Sequence, residues 1–234
     1  MSVIHHPNVV TDGLVYCIDA ANKACYSGAG ADESTCVDLV KGGVGTLENS
    51  GAGFTNDNMG IFAFDGTDDW ISQDWDFTLG TGDLTIEFWV KFGAIGGSAS
   101  VLVSVSAAPS LTHEQIQFGI ETAGGNTLTC YLQGTGSKTG GLSWSTDQWY
   151  HLVATRISST MSIYRDTVSL TVSINSTNSG DVAAVSTLII GNQYSSGAYK
   201  HDVNGDCGPI RIYNKGLTAA EVLQNYNATK GRFT

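Results

Sequence analysis

From Leu84 to Phe92 the chain reads LTIEFWVKF, and Leu84, Ile86, Phe88, Val90 and Phe92 recur at every second position. Side chains alternate between the two faces of a strand, so these five share one face while Thr85, Glu87, Trp89 and Lys91 take the other. A helix would need its apolar residues three and four apart. The pattern predicts a half-buried strand which, at ~3.3 Å per residue, spans roughly 30 Å and crosses a whole sheet. Its apolar row requires a second layer to cover it.

Other segments repeat the signal. Strands are expected at Leu14–Ile18, Ile61–Phe64, Trp70–Ile71, Val101–Val105, Gln115–Glu121, Leu128–Gln133, Trp149–Arg156, Met161–Tyr164, Val168–Ile174, Leu188–Ile190 and Cys207–Tyr213. Asp65-Gly-Thr-Asp-Asp69 has the residues of a tight hairpin turn. FGAIGGSAS, TAGGN and GTGSKTGG read as loops, and residues 20–60 as a glycine-rich region with only brief apolar contacts. Near the C-terminus the period changes. Thr218 with Glu221 three residues on is a capping box, and Leu217, Val222 and Tyr226 share a helical face, which predicts a short helix across the sandwich. Segments spaced by roughly 10 to 15 residues predict an antiparallel all-β sandwich rather than βαβ units. The expected organisation is an N-terminal arm, 1–12, and one domain, 13–234.

Composition narrows the partners. With 22 acidic against 11 basic residues the chain carries a net charge of −11, which argues against a nucleic-acid backbone or an anionic bilayer. No apolar run approaches the ~18 residues of a membrane helix, so no membrane insertion is expected. MSVIHHPNVVTDG has neither a basic n-region nor an apolar h-region, so no secretory signal is expected. Cys17 and Cys130 fall inside strand patterns and read as small buried hydrophobes. Cys25 and Cys36 flank a Gly/Ala-rich loop and could be bridged in an oxidising setting.

The acidic residues near loops are the candidate metal ligands: Asp19 at the end of the first strand, Asp65 and Asp69 around the turn glycine, and Asp202 with Asn204 and Asp206 before the last strand. Ca2+ takes six to eight oxygens, which acidic glycine loops supply. The same aspartates could equally cap turns. Asp202-x-Asn204-x-Asp206 fails as an EF-hand, because Gly205 is misplaced and position twelve is Tyr213. For glycan binding, aromatic residues near loops are the candidate platforms: Trp75, Trp144, Tyr194 and Tyr199. Trp89 and Trp149 lie mid-strand and read as core. His151, on a covered strand, reads as a core histidine.

GLVYCIDAAN (13–22), FAFDGTDDWI (62–71), LTIEFWVKF (84–92), QWYHLVATR (148–156), MSIYRD (161–166), LIIGN (188–192) and GPIRIYNKGLTAAEVLQNYNATKGRF (208–233), in this order and spacing, resemble the laminin-G-like branch of the concanavalin A-like lectin/glucanase superfamily. The resemblance implies a two-sheet antiparallel jelly roll. It also implies a structural Ca2+ site built from Asp206 and the FDG turn. The final block is similar to the ends of such domains in tailed-phage structural proteins. One departure is Tyr164-Arg165-Asp166-Thr167, where the family has an Asn-Gly turn, so a different turn geometry is expected.

Glycanases of that superfamily carry two carboxylates two or four residues apart on one strand face, because acid and nucleophile must flank the sugar bond. No E-x-D-x-E occurs: Glu87 stands alone, and Glu114 and Glu121 are seven apart. No G-x-S-x-G is present either. The expectation is a non-enzymatic virion module, assembled in the host cytoplasm, decorating the capsid or belonging to the tail. Its partners would be neighbouring virion proteins, further copies of itself and host surface polysaccharide. The alternative is a stand-alone carbohydrate-binding lectin, with or without calcium.

Overall fold

The computed structural model describes residues 8–27, 34–48, 53–76, 78–95, 99–106, 114–122, 125–182, 187–195 and 198–234. They form two antiparallel sheets of eight and nine strands around one main core. The first sheet runs Val168–Leu170, Thr160–Arg165, Trp149–Ile157, Leu84–Phe92, Asn204–Tyr213, Ile61–Asp65, Gly53–Thr55, and Leu14–Ile18 also pairs with Asn204–Tyr213. The second runs Val172–Ile174, Thr135–Gly141, Thr127–Leu132, Glu114–Glu121, Ala99–Ser106, Thr187–Ile190, Trp70–Asp74, Val44–Glu48, Thr35–Val37. This is the expected jelly-roll sandwich, and Leu84–Phe92 lies inside its first sheet with a partner on each side. Its five alternating apolar residues all enter the main core, where the Phe88 ring centre lies 5.1 Å from that of Phe118 in the opposite sheet.

The other face of that strand is not exposed as half-burial implied. Thr85, Glu87 and Trp89 are buried too. The C-terminal helix, Ala219–Thr229, lies over them, and its capping box is formed as expected by Thr218 and Glu221. Trp89 stacks against Tyr226 and Phe233, with ring centres 5.3 and 4.7 Å away, and donates its indole N–H to Thr229 Oγ1 at 2.9 Å. Residues ahead of the first strand dock beside the helix: the Val10 N–H donates to Asn225 Oδ1 at 2.7 Å, and Tyr213 Oη donates to the Val10 carbonyl at 3.2 Å.

Four local expectations change. Residues 65–69 do not close a hairpin, because Ile61–Asp65 and Trp70–Asp74 belong to different sheets and the turn crosses between layers. The run 168–174 is not one strand: Val168–Leu170 edges the first sheet and Val172–Ile174 the second, so the alternation continues while the pairing partner changes at Thr171. TGSKTGG, read as loop, is the strand Thr135–Gly141, where Gly136 lies under the Tyr131 ring and a Cβ would come within 2.5 Å of it. Asp166 and Thr167 adopt φ of 50° and 71°, so this turn has the two left-handed residues of the type I′ geometry that Asn-Gly favours. Register is retained through Arg165↔Val168. Asp166 compensates by accepting the His151 N–H on Oδ1 at 2.8 Å.

Candidate metal and ligand site

The turn 65–69 packs its acidic side chains together because its backbone uses them. Asp69 Oδ2 accepts the Asp65 N–H at 2.9 Å, Asp65 Oδ1 accepts the Thr67 N–H at 2.7 Å, and Asn204 Nδ2 donates to the Asp65 carbonyl at 2.8 Å. Gly66 has φ of 84° and a Cβ there would lie 2.6 Å from Asn204 Cβ, so both conformation and space require glycine. Asp65, Asp68 and Asp69 each offer a ligand oxygen, and the three lie within 4.8 Å of one another.

Asp69 is 1% exposed, and its Oδ1 is buried without a hydrogen bond. Burial pushes its carboxyl pKa up, and repulsion from Asp65, Asp68 and Asp202 adds to the rise despite the Asp65 N–H. Asp202 is likewise pushed up, by burial first and by Asp65 and Asp68 next. Carboxylates that repel one another around a buried, unused oxygen suit a hard cation with oxygen ligands.

Asp202 also closes the neck of a small hairpin. Asn192 Nδ2 donates to Asp202 Oδ1 at 2.5 Å, and the Val203 N–H donates to the Gly191 carbonyl at 2.9 Å. Between these residues Gln193–Ser195 pairs with Ala198–Lys200, Tyr194 opposite Tyr199. Asn192 is fully buried, and its carbonyl accepts Ser104 Oγ at 3.0 Å, which seats the neck on the second sheet.

Of the expected ligands, Asp65 and Asp69 are brought together, and Asp202 lies near enough for its charge to act on Asp69. Asp19 is not among them: both of its oxygens take Arg232 Nη1, at 3.0 and 2.8 Å. Asp206 instead pairs with Lys91 Nζ at 2.7 Å. Asp68, not among the expected ligands, joins the cluster; its place inside DGTDD was the available signal. Asn192 left none. Among the aromatic candidates, Trp75 is buried in the core at 4% exposure and cannot stack on a sugar. Trp144 is half-buried, edge-on to Tyr150, with the Arg165 guanidinium 5.0 Å over its ring. Tyr194 is half-buried on the hairpin, and the side chain of Tyr199 lies outside the described residues.

Glu87, the one mid-strand carboxylate of Leu84–Phe92, is committed elsewhere. Arg211 Nη1 and Asn225 Nδ2 each donate to it at 2.6 Å, and His151 Nε2 lies 3.3 Å away. Burial alone would raise its pKa, but Arg211, His151 and Asn225 outweigh that and hold it at about 2. A permanent buried anion under a helix cannot protonate a leaving group. Glu121, on the second sheet, is bound to Lys138 Nζ at 2.6 Å. The side chain of Glu114 lies outside the described residues.

A family model described as the concanavalin A-like lectin/glucanases superfamily matches residues 65–223. No curated protein matches in sequence. Among solved structures, Trypanosoma rangeli sialidase in complex with sialic acid is similar with a TM-score of 0.68 and 18% identity, over 97% of this chain and 34% of that one. The chain thus spans about a third of the sialidase. Domain 4 of a GH43 extracellular arabinanase from Geobacillus stearothermophilus, in complex with arabinotriose, gives 0.67 and 17% identity, over 92% of this chain and 98% of that one. A heptameric SAP-like pentraxin from Limulus polyphemus gives 0.52 and 16%, over 71% and 80%.

Proposed function

The chain belongs to the concanavalin A-like lectin/glucanases superfamily, and from that premise we propose that it is a glycan-binding module without hydrolytic activity. Its rim of Asp65, Asp68, Asp69 and Asp202 takes Ca2+, and the hairpin rising from Asn192 and Asp202 meets the sugar. The observation that carries this reading is the buried Asp69 Oδ1, left without a hydrogen bond beside other carboxylates. Ca2+ supplies the positive charge that this set lacks, and holds Asp202 and thereby the hairpin neck. Tyr194 offers a ring to the apolar face of a sugar, while the rim oxygens orient hydroxyls. The arabinanase domain in complex with arabinotriose supports a neutral saccharide by analogy of fold. The absence of hydrolysis is supported by the confinement of Glu87 and Glu121.

Calorimetry and a glycan array of algal and bacterial polysaccharides test this reading. Binding at millimolar or tighter affinity, lost in chelator and in Asp69→Asn, is expected. No binding in the presence of Ca2+ overturns it, and release of reducing sugar overturns the non-enzymatic part.

A second reading sets the same module on a tailed-phage particle, assembled in the host cytoplasm against a capsid or tail protein or further copies of itself. It is favoured by the similarity of RIYNKGLTAAEVLQNYNATKGRF, residues 211–233, to the ends of such domains in phage structural proteins. Its presence in purified particles, by mass spectrometry and image reconstruction, decides the matter.

A further inference from the structure

Cys25 and Cys36 are neighbours in the fold as well as flanking one loop. The Val37 N–H donates to the Cys25 carbonyl at 2.8 Å, which sets the two cysteines side by side, as the roughly 4.4–6.8 Å between the Cα atoms of a disulfide requires. Their side chains meet: the Cys36 thiol donates a hydrogen bond to the Cys25 sulfur. The Asp19 N–H donates to the same sulfur at 3.3 Å. Donors on one sulfur favour its thiolate, and the bond from Cys36, more than offsetting burial, holds the pKa of Cys25 below the ordinary thiol value. Cys17, Cys130 and Cys207 differ, because burial raises all three.

The cover over Cys25 is thin. The residue itself is 2% exposed, but Lys23, Ala24 and Ser27 around it are exposed, and this turn closes through Lys23 Nζ on the Ser27 carbonyl at 3.1 Å. An exposed contact of this kind adds little stability, so the turn opens locally without unfolding the sandwich. Cys36 is fully buried on Thr35–Val37, the edge strand of the second sheet.

We infer that Cys25 and Cys36 are a redox site, a dithiol that peroxide converts to a disulfide tying the edge strand to the turn 22–27. The Cys25 thiolate attacks one peroxide oxygen; the O–O bond breaks, the departing hydroxide takes up a proton as water, and Cys25 becomes a sulfenic acid. The Cys36 sulfur then attacks the Cys25 sulfur. The S–S bond forms as the S–O bond breaks, and the hydroxide leaves with the Cys36 proton as a second water. Two electrons pass from the sulfurs to the peroxide. Peroxide, little larger than water, reaches Cys25 where bulkier thiol reagents do not. The bridge closes YSGAGADEST, whose glycines leave the unfolded chain much entropy to lose. This inference does not depend on the glycan or Ca2+ readings.

The test is treatment of the reduced, folded protein with hydrogen peroxide, followed by thiol counting in denaturant, intact mass and peptide mapping. Three of the five thiols are expected to remain, in a chain about 2 Da lighter whose Cys25 and Cys36 peptides are linked. The melting temperature is expected to rise by roughly 5–10 °C and to fall back on reduction. Cys36→Ser is expected to stop at the sulfenic acid, trapped by dimedone, with no such rise. Cys25→Ser is expected to keep all its thiols under the same treatment. Oxidation of Cys36 in that variant at the wild-type rate overturns the role of Cys25. Five thiols remaining in treated wild type, or a link through any other cysteine, overturns the site, whether or not the variants fold.

Discussion

Asp69 turns one carboxylate oxygen onto the Asp65 N–H at 2.9 Å and buries the other without a hydrogen bond. An unpaired buried acceptor next to like charges destabilises the fold until a cation arrives. Asp69→Asn is therefore expected to stabilise the cation-free protein by about 1 kcal/mol and to abolish its response to Ca2+. In the wild type, Ca2+ at about 100 times its dissociation constant adds about 2.7 kcal/mol, a rise in melting temperature of roughly 5–10 °C. Thermal melts in Ca2+ and in chelator measure both.

Acid separates the two kinds of carboxylate. The folded-state pKa of Glu87 is lowered to about 2 from 4.5. Unfolded chains thus bind its proton first, and the stabilisation is full above about 4.5 and lost as pH falls through about 2. The difference corresponds to about 3 kcal/mol. Asp69 and Asp202, pushed up, have the opposite sign: their penalty is relieved as they protonate. Denaturant titrations of the double variant Asp69→Asn/Asp202→Asn, which removes both of these opposing carboxylates, are expected to show the loss of stability below pH 4.5 that Glu87 predicts. A flat profile would contradict the Glu87–Arg211 pairing.

Thr167 occupies the left-handed region at φ of 71°, which a β-branched residue adopts under strain. Thr167→Gly removes that strain and is expected to stabilise by about 0.5–1 kcal/mol after the entropy of glycine is counted. Denaturant midpoints at constant slope measure it.

All five cysteines are buried as thiols, with no disulfide among them. Burial raises Cys17 to about 11 and Cys130 to about 12, while the Cys36 thiol, hydrogen-bonded to Cys25, outweighs burial and lowers the pKa of Cys25. Thiol titration is expected to count none in the native protein and five in denaturant. A count of three in denaturant would mean that Cys25 and Cys36 are joined.

Much of the architecture was legible because strand periodicity is written in side chains. Leu84–Phe92 shows its core row directly, and Thr218 with Glu221 shows the start of the helix. What the pattern does not encode is which strand pairs with which. Val168 to Ile174 alternates without a break although its two halves join different sheets, and the short apolar segments Ile61–Phe64 and Trp70–Ile71 do not reveal that 65–69 changes layers. Thr135–Gly141 was hidden because Gly136 contributes space under Tyr131 rather than apolar surface. At the site, Asp65, Asp69 and Asp202 were legible as oxygen donors. Asp19 and Asp206 read identically, and only the folded positions of Arg232 and Lys91 distinguish them.

The most direct test of the Ca2+-dependent glycan rim is calorimetric titration of Ca2+ into metal-free protein, repeated on Asp69→Asn and followed by glycan addition. One ion per chain, no heat in the variant, and glycan binding only after Ca2+ are expected. Absence of Ca2+ heat in the wild type, with glycan binding undiminished in chelator, would contradict it.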